Sequence, residues 1–166
     1  MAHLENVIDV MNLTDLRDSD IQHVVFTIYT EEFGIDILDI KEVVKYVQPL
    51  PVPNAGKFVK GIINFRGEVI PVIDLRGLFG LMSMSVDENT AIVVVEIKHK
   101  IFGLIVDHVT DVMSIPEALI RPHAEFEPDG KGMYVKAVGD FGKRMVFLLD
   151  LVKILEFQQI DSQRAS

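Results

Sequence analysis

The chain contains no cysteine and no tryptophan. Without thiols it has no disulfide, no cysteine-ligated zinc, no iron–sulfur cluster and no thiol nucleophile. Basic residues are scarce: 16 Lys and Arg stand against 25 Asp and Glu, for a net charge of −9. No run of Lys and Arg forms a patch, so recognition of a nucleic-acid backbone is not expected. No apolar run approaches the roughly 20 residues of a membrane helix. The N-terminus "MAHLENVIDVMNLTDLRDSD" lacks the basic and apolar regions of a secretory signal. Composition therefore predicts a soluble, cytoplasmic protein that binds no nucleic acid and does not insert into a membrane.

Catalytic constellations are also missing. No GxGxxG or phosphate-binding loop occurs, and Ser and Thr have no identifiable base beside them. The five histidines, His3, His23, His99, His108 and His123, show no i, i+4 pair on a helix. His23, His99 and His123 fall at strand starts, turns or loops and read as surface, and His108 as a candidate for a lobe interface. Asp36, Asp39 and Glu42 read as points along one strand, where alternation separates neighbours onto opposite faces. They do not supply the opposed carboxylate pair that hydrolysis needs. The sequence predicts no enzyme, no cofactor and no metal site.

What the chain does have is strand signal. It has 166 residues, 49% of them hydrophobic, enough for one domain or two small lobes. Residues 1–20 form an acidic leader, with Leu4, Val7, Ile8 and Met11 at the spacing of a short amphipathic helix. From Ile21 onward, β-branched and aromatic runs such as "HVVFTIY" and "TAIVVVEI" predict strands. "KGIINF-RG-EVIPVIDL" reads as a hairpin in which Gly67 supplies a left-handed turn position. Pro71 within it predicts an edge or bulged strand. "PLPVPNAG" is a stiff proline-rich loop, and "DLVKILEFQQI" a short C-terminal helix carrying Leu151, Ile154, Leu155 and Gln158 on one face.

The chain also repeats itself. Shifted by 69 positions, "TIYTEEFGIDILDIKEVV" lies on "EIKHKIFGLIVDHVTDVM". Shifted by 76, "KGIINFRGEVIPVIDL" lies on "KAVGDFGKRMVFLLDL", with Lys60, Phe65, Asp74 and Leu75 identical to Lys136, Phe141, Asp150 and Leu151. Two copies of about five short strands are too few for a solenoid, but each copy suits a small closed sheet. The expected fold is all-β: two five-stranded barrels packed side by side, with a short C-terminal helix. The expected boundaries are 1–20 for the leader, 21–83 and 84–157 for the two lobes, and 158–166 for the tail. Asp74 and Arg76 read as a local ion pair or as hydrogen bonds closing the first barrel.

Several residues together carry a resemblance. Gly34-Ile35-Asp36-Ile37, Ile40 and Glu42 come first. A proline-containing loop, Lys60-Gly61, Asn64-x-Arg66-Gly67, Pro71 and Asp74-Leu75-Arg76 follow. With "IFGLIVDHVTDVMSI" and "YVKAVGDFGKRMVFLLDLVKIL", this pattern resembles the CheW family of chemotaxis coupling proteins from about Ile21 to Phe157. The resemblance implies two SH3-like barrels and a non-enzymatic adaptor, monomeric on its own. It joins methyl-accepting chemoreceptors to the regulatory domain of a CheA-type histidine kinase, in arrays at the inner face of the membrane. It implies a kinase-facing surface at Glu42, Val43, Lys60, Gly61, Ile62 and Arg66. It implies a receptor groove at Ile37, Ile40, Phe102, Gly103, Val109 and Val112. The second copy has Gly142-Lys143-Arg144 in place of Arg66-Gly67-Glu68, so the contacts of the two lobes are expected to differ. The alternatives are a coupling protein attached to a receiver domain, and a small-ligand or nucleotide-binding protein that uses the groove between the lobes.

Overall fold

The computed structural model of the chain describes residues 20–81, 85–122 and 134–156. The expected leader helix, the tail, His3, His123 and Gln158 lie outside the described residues. Among the described residues there are eleven strands: β1 (Asp20–Ile28), β2 (Glu31–Asp36), β3 (Ile40–Lys45), β4 (Val59–Phe65), β5 (Glu68–Asp74), β6 (Ala91–Ile97), β7 (Lys100–Val106), β8 (His108–Pro116), β9 (Ile120–Pro122), β10 (Val135–Asp140) and β11 (Met145–Leu149). A one-turn helix, Leu75–Leu78, follows β5, and a second helix covers residues 151–156.

The strands form two sheets, in the orders β8-β1-β2-β11-β10-β9 and β3-β6-β7-β5-β4. The repeat maps β1 to β5 onto β6, β7, β8, β10 and β11. Under that mapping the first five positions of one sheet become the other sheet, strand for strand. The parallel pairs correspond too: β5 runs beside β7, and β11 beside β2. Each lobe is therefore built by exchange. It takes the first two strands of one repeat and the last three of the other. This all-β, two-lobed, SH3-like architecture matches the expectation, but the strands are not divided at residues 83 and 84. β1 and β2 pair with the second half of the chain, and β6 and β7 with the first. Alternation along a strand shows which face is buried but not which strand lies alongside, so the exchange does not appear in the sequence pattern.

Packing follows the exchange. The face of each sheet turned into its own barrel makes a small core: Ile63, Phe65, Ile70, Val72, Ile92, Val94 and Ile105 in one lobe, and Val25, Ile115, Val146 and Leu148 in the other. The opposite faces meet in a larger shared core containing Phe26, Phe33, Val43, Phe79, Phe102 and Val109. Phe33 lies 4.8 Å from Phe79, centroid to centroid, and Phe79 meets Tyr134 edge-on at 6.1 Å. Burial of each such ring is worth roughly 1.5–3 kcal/mol. The lobes are thus joined by the largest apolar cluster in the molecule, and the space between them is filled with side chains.

The "DL" shared by both copies caps equivalent helices. Asp74 accepts from Arg76 N at 3.1 Å, and Asp150 from Lys153 N at 3.1 Å. Their own amides donate to Phe58 O and Tyr134 O, themselves a repeat pair. Arg76 is buried and donates from Nε to Asp74 Oδ1 at 2.9 Å, so the expected ion pair is present. Burial opposes the charge on Arg76. Its hydrogen bond to Asp74 and the attraction of Asp74 and Asp107 outweigh that, and its pKa rises.

Three local expectations change. "GIDILDI" is not one strand: Asp36 accepts from Leu38 N at 2.9 Å and starts a 3-10 turn, Ile37–Asp39, between β2 and β3. Asp36, Asp39 and Glu42 are consequently on three different elements. Pro71 is not on an edge, because β5 lies between β7 and β4. Its missing N–H is tolerated because the β7 ladder begins one residue later, at Val72. His23 is not at the surface: it lies mid-strand in β1, is 3% exposed, and its Nδ1 is 3.0 Å from Ile21 O.

Candidate functional site

Glu42 and Arg66 come from opposite ends of one sheet and meet. β3 has a bulge at this point: Ile40 faces Val95 and Glu42 faces Val94, which leaves Lys41 as the extra residue. A bulge re-aims the side chains beside it, and here it accompanies the Glu42 carboxylate reaching the β4–β5 turn. That turn is Arg66-Gly67, with both residues left-handed at φ +51° and +83°, as tight hairpins prefer. Asn64 Oδ1 accepts from Gly67 N at 3.0 Å and fixes the turn. Arg66 lies over the Phe65 ring and donates from Nε to Glu42 Oε1 at 2.7 Å; its Nη2 donates to the same oxygen. The Arg66 side chain is 73% exposed and that of Glu42 only 19%. A pair this open to water contributes under about 1 kcal/mol to stability. It does hold a planar, five-donor group in a fixed orientation outside the fold, and such a group is suited to selecting a carboxylate-bearing partner.

Beside this pair the chain closes the barrel. Leu50 and Ile62 exchange two backbone hydrogen bonds, each 2.9 Å long. Gly61 permits the approach, since a Cβ there would stand 2.2 Å from Leu50 O. Lys60 is exposed and 3.9 Å from Asp74, and Ile62 is half-buried. Val43 is 1% exposed and belongs to the shared core, so it cannot touch a partner directly.

The six groove positions divide by burial. Phe102 and Val109 are in the shared core. Gly103 is buried in the first barrel, where a Cβ would come 2.8 Å from Ile92 Cγ2. Ile37, Ile40 and Val112 pack on the rim of the shared core and are half-buried. Register connects them, with Ile40 opposite Val95, Val95 opposite Phe102, and Val112 opposite Val24. Two apolar rows, one in each sheet, thus run from half-buried positions into the shared core, and only their outer members can be touched. Leu38, 71% exposed on the 3-10 turn, stands beside them and went unnoticed in the sequence.

The sequence model of the CheW-like domain matches residues 22–159. The chain belongs to the CheW-like family. The chemotaxis protein CheW of Klebsiella aerogenes is 37% identical over 139 residues, 84% of each chain. The chemotaxis protein CheW of Helicobacter pylori is 33% identical over 136 residues, 82% of each. The crystal structure of the scaffolding protein TtCheW from Thermoanaerobacter tengcongensis aligns with a TM-score of 0.73 at 35% identity, covering 79% of this chain and 89% of that one.

In this CheW-like chain the second lobe answers the Arg66 turn differently. Asp111 occupies the repeat position of Glu42, beside an equivalent bulge in β8. Arg144, from the β10–β11 turn, donates from Nε and Nη2 to the two oxygens of Glu32, at 2.8 Å each. That hydrogen bonding, together with the charges of Glu32 and Asp111, raises the Arg144 pKa. Both lobes therefore hold a turn arginine on a carboxylate, but with different partners and at different positions. A polar link between the lobes also escaped notice in the sequence. Asp107, where β7 passes into β8, accepts from Tyr29 N at 2.7 Å and stands 3.6 Å from Arg76. His108 beside it is exposed, not part of a lobe interface. Among the described residues no helix is long and apolar enough to cross a membrane.

Proposed function

We propose that this CheW-like protein is a non-enzymatic adaptor of chemotaxis. It joins the cytoplasmic tips of methyl-accepting chemoreceptors to the regulatory domain of a CheA-type histidine kinase and makes kinase activity follow receptor state. The observation that carries the kinase half is the Glu42–Arg66 pair: an exposed guanidinium, oriented by a carboxylate and a left-handed turn, at two of the positions the family resemblance selects. The receptor half is supported by the half-buried row of Ile37, Ile40 and Val112, with Leu38 beside it. An apolar helix face laid along such a row would cover residues that already pack on the core.

The reading is tested by mixing the protein with the kinase and a receptor cytoplasmic fragment and following autophosphorylation. Kinase output should depend on all three components. Arg66→Glu and Glu42→Lys should each weaken kinase binding about tenfold or more in a pull-down titration while leaving circular dichroism unchanged. Wild-type affinity in both variants would remove Glu42 and Arg66 from the kinase-facing surface.

A further inference from the structure

Where β1 begins, the fold leaves an apolar patch that no core uses. Ile21 is 44% exposed and Leu38 71%, and neither belongs to any of the three cores. The two stand together. The β1–β2 ladder ends with His23 opposite Asp36, and β1 packs against the 3-10 turn that follows. The same register, continued, sets Gln22 beside Ile37 and Ile21 beside Leu38. Gln22 in turn faces Ser114 on β8, on the side of the sheet that carries Val24 and Val112. The Oγ of Ser114 is buried and has no hydrogen-bond partner among the described residues. Such a hydroxyl is costly to leave unpaired, and a turn of its side chain offers it to a covering segment. An exposed apolar patch beside an unpaired buried hydroxyl marks a surface that something else completes.

We propose that the acidic leader of this chain, residues 1–19, docks on that patch through Leu4, Val7, Ile8 and Met11 and holds a chemoreceptor off the neighbouring rows. Position and length select this occupant. The leader joins β1 at Asp20, one residue before Ile21, so it enters the fold at the patch itself. Leu4, Val7, Ile8 and Met11 make one stripe of a helix about 12 Å long. Residues 12–19 span at most about 28 Å, which is enough chain to fold that stripe back over Leu38. A helix this short does not hold in water without a surface for its stripe. Glu5 and Asp9 fall on its opposite side, away from the carboxylates of Asp36 and Asp39. The tether gives the leader an effective concentration on the order of millimolar, so weak docking is enough to compete with a partner. The docking needs no other protein. Its regulatory half rests on the receptor reading given above, because Ile37, Ile40 and Val112 lie next to the patch.

The test uses the full-length protein, whose lack of cysteine lets an introduced pair report alone. Val7→Cys with Leu38→Cys should form an intramolecular disulfide about tenfold faster under mild oxidation than Glu5→Cys with Leu38→Cys, which has a similar tether but the opposite helix face. Equal rates overturn the docking. A disulfide-linked dimer in place of the monomer assigns the patch to a second copy and also overturns it. The second measurement is a titration of a receptor cytoplasmic fragment. Leu38 serves both occupants, so the variant is made in the leader. Val7→Ser with Met11→Ser should bind the fragment about threefold or more tightly than wild type, with the circular dichroism of the strands unchanged. Wild-type affinity in that variant, beside a fast Val7 disulfide, overturns the competition. If neither protein binds the fragment, the receptor reading fails and the competition falls with it, while the disulfide rates still decide the docking.

Discussion

Gly61→Ala separates a residue that permits the fold from one that touches a partner. Gly61 has φ +153°, and a Cβ built on it would stand 2.2 Å from Leu50 O and 2.6 Å from Leu50 C. These are backbone atoms, so no side-chain rotation relieves the overlap. Either residue 50 moves away and its two hydrogen bonds to Ile62 are lost, or β4 distorts. Two hydrogen bonds at about 0.5–1.5 kcal/mol each and a strained backbone at about 1–3 kcal/mol bring the expected cost to about 2–6 kcal/mol. For a chain of this size that lowers the melting temperature by roughly 4–24 °C. Urea unfolding followed by circular dichroism measures it directly. The control is Gly67→Ala. Gly67 also has a positive φ, +83°, but nothing lies within 4 Å of its built Cβ. It pays only the backbone penalty, about 1 kcal/mol. Equal losses for the two variants, or a loss below about 0.5 kcal/mol at Gly61, would refute the steric account. A normal stability with weak kinase binding would instead make Gly61 a contact residue.

Two more substitutions and one titration probe the rest. Phe102→Ala empties part of the shared core and should cost about 3–5 kcal/mol, whereas Leu38→Ser, at a side chain 71% exposed, should leave unfolding unchanged and weaken binding of a receptor cytoplasmic fragment; the opposite pattern would show that the groove lies elsewhere. His23 gives a pH signature: burial, against opposing contributions from Ile21 O and Asp36, lowers its pKa. The unfolded chain then takes up the proton first, so stability should fall as pH drops below about 6.5. Asp39, raised by burial and by Asp36, acts in the opposite direction at lower pH. His23→Gln should flatten the urea midpoint between pH 7.5 and roughly 5.5, and an unaltered slope would mean that His23 titrates normally.

Local chemistry was legible in the sequence and long-range pairing was not. Arg66-Gly67 and Asp74-Leu75-Arg76 could be read because a turn or a cap is decided within a few residues. The repeat gave the number and order of strands in each half. It could not show that β1 and β2 lie in the sheet with β8 and β11, since both possible pairings bury the same faces. The burial of His23 was missed for a related reason: its neighbours in sequence are polar on one side only, and β2 and β8 cover it from elsewhere in the chain. Glu42 and Arg66, expected on one surface, do meet, whereas Val43, Phe102, Gly103 and Val109 lie in the interior. Apolar strand residues carry the same spelling whether they line a groove or fill a core.

The exchange of strands also bears on how the molecule comes apart. One lobe is a continuous stretch of chain, β3 to β7, and it is inserted between β2 and β8 of the other, whose sheet closes only when both ends of the chain come together. Loss of either lobe would bare the face the other turns into their shared core, so unfolding should register as a single event. A seam of that size makes the two lobes of the scaffold a single body with no hinge between them.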